Sequence, residues 1–520
     1  MRYGFVIDQR KCIGCHACTV ACKEENQVPL GAFRTWVKYV ERGTFPHTRR
    51  YFSVLRCNHC DNAPCVTICP TVALYRRPDG IVDFDGARCI GCKSCLQACP
   101  YDALYIDPST QTAAKCHYCA HRIEVGLEPA CVIVCPEQAI VAGDLDDPTS
   151  RIARLVATEP VQVRKAEQGT RPKVFYLGAD TSALTPSLQT PTERYAWAER
   201  PSEELSLVNM VASLPDSGHL GDGARSRPVY DVPHMPRPWG WKVSAYLWTK
   251  SIAAGTTLVG TLALSGALAT QVAPLLSLVF LALTTALLIL DLKRPERFLY
   301  ILVKPNWRSW LVWGAFILIA FGVVVGLSLL VTLDGKAVPW PLGLAAVLLA
   351  LAAAGYSAFL FGQAEGRDFW QTSLKLPHLI VASLVAGSAA LLFVVPGWHF
   401  STAPDFVNGG WAARPPFHAL GPLLFVALLA HAAFVLMELF SRHPSYEAAA
   451  AARLLTRGRW GRRLWGGVVA AGIVAPLALL MAGAASQSAV PTSLSALLSL
   501  AGLWIYEDLW VQAGQSIPLS

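Results

Sequence analysis

The pattern of hydrophobic and polar positions divides this chain of 520 residues into two unlike parts. After Trp239, long apolar runs follow one another, each close to the roughly 20 residues that an α-helix needs to cross a bilayer. Buried helices of soluble proteins seldom reach this length so many times in succession. The pattern therefore predicts an all-α membrane bundle of eight transmembrane helices, at 244–268, 273–291, 309–332, 341–363, 377–396, 419–440, 465–485 and 491–510.

The part before this bundle contains every cysteine of the chain, sixteen in all, as four groups of four. The first and third groups follow the spacing C-x2-C-x2-C-x3-C, in which three cysteines wrap one [4Fe-4S] cube and the fourth, in bacterial ferredoxins, ligates a partner cluster. Sixteen thiolates match four [4Fe-4S] clusters with none left over. The groups are Cys12, Cys15, Cys18, Cys22; Cys57, Cys60, Cys65, Cys69; Cys89, Cys92, Cys95, Cys99; and Cys116, Cys119, Cys131, Cys135.

Disulfide bonds and structural zinc are the alternative uses of so many cysteines. Zinc sites rarely use the C-x2-C-x2-C-x3-C run followed by proline, and Pro70, Pro100 and Pro136 follow the last cysteines of three groups. Lys23 stands in that place after the first group. Because every cysteine belongs to a group of the cluster type, we expect iron-sulfur clusters.

The remaining pattern indicates how the chain is organised. Short strand-like runs at 3–7 and 80–84 flank the cysteine loops, so we expect an α+β ferredoxin-like double module over 1–180. Residues 181–240 are rich in Ser, Thr, Pro and acidic residues without hydrophobic periodicity, which predicts a linker. The membrane part then occupies 241–520.

Positive charge is unevenly distributed between the loops of the membrane part, and loops rich in Lys and Arg stay in the cytoplasm. With an even number of spans, both termini share one side with the loops after the second and sixth spans. The opposite side offers little beyond Lys336 and Arg414. We therefore predict a multi-pass protein of the inner (cytoplasmic) membrane with its iron-sulfur part on the cytoplasmic side. The positive residues of that side are Lys293, Arg294, Arg297, Lys304, Arg308, Arg442, Arg453, Arg457, Arg459, Arg462 and Arg463.

The net charge of +8 requires no nucleic-acid partner, since much of it lies in these loops. Residues 1–11 lack an apolar core and paired arginines, so no export signal is expected. A separately encoded partner that carries such a signal could still take the domain across the membrane. The outward orientation therefore stays open.

Two resemblances to known families follow from these residues. The segment from Val6 to Pro136, with its four cysteine groups, resembles the four-cluster electron-transfer subunit (DmsB/PsrB-like) of complex iron-sulfur molybdoenzymes. The segment from about 240 to 520 is similar to their NrfD/PsrC-type membrane anchor. Three stretches carry the second resemblance, DLKRPERF at 291–298, NWRSWLVWG at 306–314 and AGQSIPLS at 513–520.

The resemblance implies a fusion of two subunits that are commonly separate, which docks a molybdopterin-containing catalytic subunit that this chain does not contain. It also implies that the first cysteine group shares ligands with the fourth, and the second with the third. The implied ligand sets are Cys12, Cys15, Cys18, Cys135; Cys22, Cys116, Cys119, Cys131; Cys57, Cys60, Cys65, Cys99; and Cys69, Cys89, Cys92, Cys95.

A row of clusters ending at a membrane anchor points to a quinone, menaquinone or ubiquinone, as the redox partner inside the lipid bilayer. Its pocket should lie at the membrane edge nearest the iron-sulfur part. Ionisable groups inside membrane segments are costly and mark functional sites. These criteria select Tyr246, Lys250, Asp291, Arg294, Ser309, Gln363 and His378.

Each of these residues also has a structural explanation. Lys250 could snorkel to the membrane surface, Asp291 and Arg294 could pair at a helix end, and His378 could cap its helix. His431 and Glu438 lie seven residues apart on one helix face, where they could conduct protons or hold the bundle together. No residue of the chain is predicted to be catalytic.

Three functions compete. The leading hypothesis is an electron-transfer and anchor subunit of a cytoplasm-facing sulfite:quinone oxidoreductase. The first alternative is a subunit of a quinol-dependent dimethyl sulfoxide, polysulfide or tetrathionate reductase. The second alternative is an anchor or ion-translocating module without a quinone site. The substrate is decided in the catalytic partner, so the sequence leaves it open.

Overall fold

The computed structural model describes residues 1–43, 45–189, 226–232, 237–394, 417–486 and 488–520. An amino-terminal α+β ferredoxin-like domain carries the sixteen cysteines, and a helical domain follows it. The strands of the described residues are β1 Tyr3–Asp8, β2 Thr35–Arg42, β3 Arg49–Arg56, β4 Leu74–Arg76, β5 Val82–Phe84, β6 Leu104–Ile106, β7 Ala113–Lys115, β8 Ile140–Asp144, β9 Val161–Gln162, β10 Val174–Leu177 and β11 Ser226–Tyr230.

Two larger sheets and two hairpins frame the cysteine loops. One sheet has the strand order β8-β1-β10-β9, in which β1 runs parallel to β10 and antiparallel to β8. The other has the order β11-β2-β3, and β4-β5 and β6-β7 form the hairpins. Alternation along β1 separates two cores, because Phe5 and Ile7 pack on the cysteine side while Val6 packs with Ile152 on the other side.

Short helices follow the cysteine loops of this domain. They are α1 Ala17–Glu25, α2 Pro64–Ile68, α3 Ser94–Ala98, α4 Ala120–Ile123, α5 Ala130–Ile133, α6 Arg151–Thr158 and α7 Thr181–Leu184. Helix α6 is capped by Ser150, whose hydroxyl accepts a hydrogen bond from the Ala153 N–H at 3.1 Å.

The predicted linker 181–240 lies largely outside the described residues. Where the structure describes it, the chain forms α7 and the strand β11, which pairs antiparallel with β2. This part of the predicted linker is therefore joined to the iron-sulfur domain by β-sheet hydrogen bonds.

The membrane part is helical. Its described helices are α8 Trp241–Ala263, α9 Leu268–Asp291, α10 Tyr300–Val303, α11 Trp310–Leu333, α12 Trp340–Gly362, α13 Lys375–Val394, α14 Phe417–Phe440, α15 Tyr446–Thr456, α16 Arg463–Ser486 and α17 Ala489–Gly514. The first turns of α9, Leu268–Val272, and the first half of α16, Arg463–Val474, are π-helical.

Seven helices in the described parts of the chain are long and apolar enough to cross a membrane, where eight were predicted. The exception is α8, which takes the place of the predicted span 244–268. It carries Lys242, Lys250 and many hydroxyl side chains, so its composition is less apolar than that of the other seven. The predicted number of spans is therefore wrong, and an even count no longer places both termini on one side.

The polar composition of α8 follows from its position inside the bundle, where it packs against α9, α12, α13 and α17. The Lys250 ammonium group donates to the Ala354 carbonyl at 2.9 Å and to the Ser357 hydroxyl at 2.8 Å. The Thr284 hydroxyl of α9 donates to the Thr249 hydroxyl at 2.8 Å. Polar side chains of α8 thus bind neighbouring helices instead of facing lipid.

Candidate functional site

The fold brings the cysteines together in sets that cross the sequence groups. Cys12, Cys15, Cys18 and Cys135 line one cavity, Cys22, Cys116, Cys119 and Cys131 a second, and Cys69, Cys89, Cys92 and Cys95 a third. Cys57, Cys60, Cys65 and Cys99 lie close enough to interact electrostatically. The three cavities hold three of the ligand sets that the family resemblance implies, and Cys57, Cys60, Cys65 and Cys99 are the four cysteines that remain.

Left-handed backbone gives the cysteine loops their shape. In the first loop, Gly14 has φ +72° and His16 has φ 61°, and the equivalent residues of the third loop, Gly91 and Lys93, have φ +69° and 63°. A Cβ atom on Gly14 would collide with the Phe52 ring, so only glycine fits there. The two loops therefore share one conformation that turns successive cysteines toward a common centre.

Backbone N–H groups point at the cysteine sulfurs. The Gly91 N–H donates to Cys89 Sγ at 3.4 Å, and the Ala139 N–H donates to Cys135 Sγ at 3.2 Å. Such N–H···S hydrogen bonds stabilise negative charge on sulfur.

The electrostatics of these sites fit metal-bound thiolates. Burial raises the pKa of the Cys99 thiol to about 11 and that of Cys116 to about 12. A thiolate at such a site is stable only beside positive charge, which iron ions bound to the sulfur supply. The cavities, the N–H donors and the buried thiols therefore fit iron-sulfur clusters.

A large apolar cavity lies where the iron-sulfur domain meets the bundle. Its volume is about 550 Å³, and its walls come mainly from aliphatic residues of α9 and α11. Cys92 and Ser94 of the third cysteine group line it on one side. Tyr246, Asp291 and Tyr356 supply polar groups from the membrane helices. A cysteine of the iron-sulfur domain thus faces an apolar chamber inside the membrane part.

The predicted quinone residues divide into three groups around this cavity. Tyr246 and Asp291 line it, and the Lys250 ammonium group lies 4.9 Å from the centre of the Tyr356 ring in its wall. Arg294, Ser309 and Gln363 are not among its lining residues. His378 lies apart from the cavity, in a network of hydrogen bonds with Glu438 and His431.

Models of known protein families match both halves of the chain. A family model described as "4Fe-4S dicluster domain" matches residues 48–145, one described as "4Fe-4S binding domain" matches 10–26, and one described as "Polysulphide reductase, NrfD" matches 231–518. The last match covers more than half of the chain.

The chain belongs to the polysulphide reductase NrfD family. It is similar to a tetrathionate reductase subunit of Salmonella typhimurium, with 51% identity over 189 residues, 36% of this chain and 76% of that protein. It shares 38% identity over 265 residues with a putative dimethyl sulfoxide reductase iron-sulfur subunit of Halobacterium salinarum, 45% of this chain and 96% of that protein. A polysulfide reductase component of Wolinella succinogenes matches at 42% over 179 residues, 34% of this chain and 93% of that protein.

These matches confirm the predicted fusion of a four-cluster iron-sulfur subunit with an NrfD membrane anchor. The protein is an iron-sulfur electron-transfer subunit of the oxidoreductase class, with a multi-pass membrane part. Its sixteen cysteines bind 4Fe-4S clusters, and their number is consistent with four clusters.

The three stretches that carry the NrfD resemblance lie against the iron-sulfur domain. In the first, the Asp291 carboxylate lies 2.9 Å from the Lys93 ammonium group. In the second, the Asn306 amide donates to the Cys69 carbonyl at 2.8 Å. In the third, Oε1 of the Gln515 side chain accepts from the Gln97 side-chain amide at 2.7 Å. The NrfD stretches therefore fasten the anchor to the cysteine loops.

Arg294 and Ser309 also hold this interface together, and Gln363 caps a membrane helix that begins beside it. The Arg294 guanidinium donates to the Thr110 carbonyl at 2.8 Å, and the Ser309 hydroxyl donates to the Ile68 carbonyl at 2.7 Å. Gln363 accepts from the Trp310 N–H at 2.8 Å and so caps the start of α11. Sequence position alone could not separate these residues from those that line the cavity.

A buried polar network of the NrfD domain joins α13, α14 and α17. One hydrogen bond of 2.9 Å links His378 Nδ1 to Glu438 Oε1, and another of 2.9 Å links His378 Nε2 to His431 Nδ1. The Tyr506 hydroxyl donates to Glu438 Oε2. The Lys375 ammonium group lies 3.5 Å from the centre of the Trp510 ring beside them.

Some residues of the sites carry a weak sequence signal or none. Lys93 stands between two cysteines of one loop, and Tyr356 lies two helical turns before Gln363 on the same face of α12, which is a signal that could have found it. Arg56 immediately precedes the second cysteine group and contacts a sulfur of the fourth, which only the fold reveals.

Proposed function

We propose that this chain carries electrons between membrane quinol and a molybdopterin-containing catalytic subunit of a respiratory reductase. The observation that carries the proposal is the shared cavity, because Cys92 lines the same apolar chamber as Tyr246 and Asp291. A redox centre bound at Cys92 and a lipid-soluble carrier in the chamber would then be neighbours.

The proposed ligand sets are the four sets of cysteines that the fold brings together. The set Cys69, Cys89, Cys92 and Cys95 lies next to the membrane cavity. The set Cys12, Cys15, Cys18 and Cys135 lies nearer the surface, since Cys15 is exposed. Electrons would enter beside the membrane and leave at the exposed set, where the catalytic subunit would dock.

Asp291 and Tyr246 are the residues that we propose to contact the quinol. Lys93, which directly follows Cys92, lies 3.0 Å from Asp291 Oδ1 and 2.9 Å from Oδ2, and this ion pair fixes the position of the carboxylate. A quinol, when bound, supplies two electrons and two protons. The Asp291 carboxylate would accept a hydrogen bond from the quinol hydroxyl, and the Tyr246 hydroxyl would orient the head group.

A reductase fits the comparisons better than the sulfite oxidation that the sequence favoured. The similar proteins are named for tetrathionate, dimethyl sulfoxide and polysulfide reductases. The sulfite hypothesis rested on a cytoplasmic orientation inferred from loop charge. Arg294 and Arg297 of those loops donate to carbonyls of the iron-sulfur domain, so their charge has a second role.

The quinol site can be tested on the full chain, purified with its clusters in detergent. A short-chain menaquinol analogue is mixed with the oxidised protein, and loss of cluster absorbance is followed by stopped flow. We expect Asp291→Asn and Tyr246→Phe to slow this reduction at least tenfold, a change of about 1.4 kcal/mol in the barrier. Reduction by dithionite should be unchanged in both variants.

Asp334→Asn is the matched control, because Asp334 lies at the opposite end of α11, exposed and paired with Lys336. Unaltered quinol rates in both cavity variants would place the site elsewhere. If quinol cannot reduce the native protein, the result would support the hypothesis of an anchor without a quinone site. The substrate would be identified by assaying the copurified complex for quinol-driven tetrathionate, sulfoxide or polysulfide reduction and for sulfite oxidation.

A further inference from the structure

Arg56 places a buried positive charge among the cysteines. It is the last residue of β3 and is 1% exposed. Its Nη1 donates to Cys131 Sγ at 3.2 Å, and its guanidinium carbon lies 4.4 Å from the centre of the Phe5 ring. Its Nε and Nη2 atoms are buried without a hydrogen-bond partner in the part of the chain that the structure describes.

A buried guanidinium requires a nearby negative charge, since transfer of an unpaired ion from water into a protein interior is strongly unfavourable. No carboxylate within the described ranges forms an ion pair with Arg56. The groups that interact with it most strongly are the sulfurs of Cys131, Cys116 and Cys18. The charge that balances Arg56 must therefore reside on thiolates and whatever they bind.

We propose that Arg56 raises the reduction potential of the cluster held by Cys22, Cys116, Cys119 and Cys131 more than that of any other cluster. This inference rests on the ligand sets proposed above, and it needs neither the quinol site nor the substrate. One-electron reduction adds a negative charge to a cluster, and a fixed cation that donates to a ligand sulfur stabilises that added charge. The guanidinium keeps its proton throughout, so the electron is taken up without proton transfer.

Arg56 is distinguished from the other cations near the cysteines by what it binds. The Lys115 ammonium group is held by the Val82 and Cys116 carbonyls, and the Lys93 ammonium group by the Asp291 carboxylate. Both ammonium groups thus have oxygen atoms as their hydrogen-bond partners. Within the described residues, the guanidinium of Arg56 has one hydrogen-bond acceptor, and this acceptor is a sulfur. Its charge therefore acts on the cysteine set.

The test is a redox titration of the full chain, with its clusters in place, in which dithionite and mediators set the potential and electron paramagnetic resonance resolves the clusters. Arg56→Met removes the charge and the N–H···S bond, and Arg56→Gln removes the charge but keeps an N–H donor. Arg56→Lys keeps the charge. We expect the midpoint potential of one cluster to fall in both neutral variants, and to fall less in Arg56→Lys. The potential of the cluster at Cys18 should fall by a smaller amount, and the other two potentials should be unchanged.

Arg50→Gln is the matched control, because Arg50 lies on the same strand but is half-exposed and paired with Glu41. It should leave every midpoint potential unchanged. Equal potentials in the native protein and a neutral variant with full iron content would overturn the proposal, and so would a uniform shift of all the clusters. If both neutral variants lost a cluster, Arg56 would be an assembly residue and the proposal would also fail.

Discussion

Single polar residues determine how the iron-sulfur domain contacts the membrane part. Lys93 belongs to a cysteine loop and Asp291 ends a membrane helix, yet their side chains form one ion pair that is mostly shielded from water. Removal of one partner from such a pair leaves an unpaired charge, which is costly at a buried site. The pair therefore couples the position of a cysteine loop to the wall of the cavity.

The spacing of the cysteines predicted the roles of single residues better than the position of polar residues in the membrane helices did. The loop chemistry of a cluster depends on neighbours in sequence, so the spacing of Cys12, Cys15 and Cys18 is informative by itself. The role of a polar residue at a helix end depends on which other chain segment lies opposite. Ser309 and Gln363 were therefore selected for the cavity, although their partners are backbone groups at the interface.

The exchange of the fourth cysteine between groups predicts different losses of iron in different double variants. If Cys99 completes the set of Cys57, Cys60 and Cys65, then Cys57→Ser combined with Cys99→Ser should remove the iron of one cluster. Cys89→Ser combined with Cys99→Ser should remove the iron of two, because the two cysteines would serve different cubes. Iron analysis of the purified proteins checks this. Equal losses in the two double variants would contradict the proposed sets.

Helices of the membrane part are specified by contacts that hydropathy does not report. Helix α8 is polar for a long helix of this part because it lies among four others, and its Lys and Thr side chains bind their backbone and hydroxyl groups. A hydropathy pattern predicts a helix correctly at this place. It cannot predict how deeply the helix is surrounded, which depends on the packing of distant segments.

A close backbone approach in the bundle joins Gly255 of α8 to Gly387 of α13. A Cβ atom on Gly255 would overlap the Ser383 carbonyl, and one on Gly387 would overlap the Gly255 backbone. Small residues allow such backbone contact between membrane helices. The alanine-rich stretches around both glycines give no sign in the sequence that these two positions meet.

We predict that Gly387→Ala destabilises the protein, because the added methyl group forces two backbones apart and overpacking costs about 1–3 kcal/mol. The midpoint of thermal unfolding in detergent should fall by several degrees. Gly343→Ala is the control, since a Cβ atom on Gly343 of α12 meets no atom within 4 Å. An unfolding midpoint for Gly387→Ala as high as that of this control would show that α8 and α13 are not in backbone contact.

In the whole molecule, the two halves act as one unit because backbone groups of both form their interface. Backbone hydrogen bonds join them, from the Arg294 N–H to the Ile90 carbonyl at 3.1 Å and from the Asn306 N–H to the Pro70 carbonyl at 2.9 Å. The carboxy-terminal stretch contributes as well, since the Leu519 carbonyl accepts from Arg164 at 3.1 Å. Sequence resemblance located these stretches, but their role in joining the two domains follows only from the three-dimensional contacts.

The charge of the loops at the two ends of the bundle predicts the side of the membrane that the iron-sulfur domain occupies. Helix α11 starts against this domain, where Ser309 binds the Ile68 carbonyl, so the loop around Gly335 lies at the far face whatever the number of spans before it. Arg442, Arg457 and Arg462 are exposed in the segment that contains Glu447, and the Glu447 carboxylate lies 2.9 Å from the Lys165 ammonium group of the domain. Lys336 lies in the far loop. Positive charge in short loops favours the cytoplasm, so we expect the domain to lie there.

An epitope tag at the exposed Met1 should be digested by protease only in inverted vesicles, and a tag inserted at Gly335 only in right-side-out vesicles. The reverse pattern would place the iron-sulfur domain, and with it the catalytic partner, on the outer side.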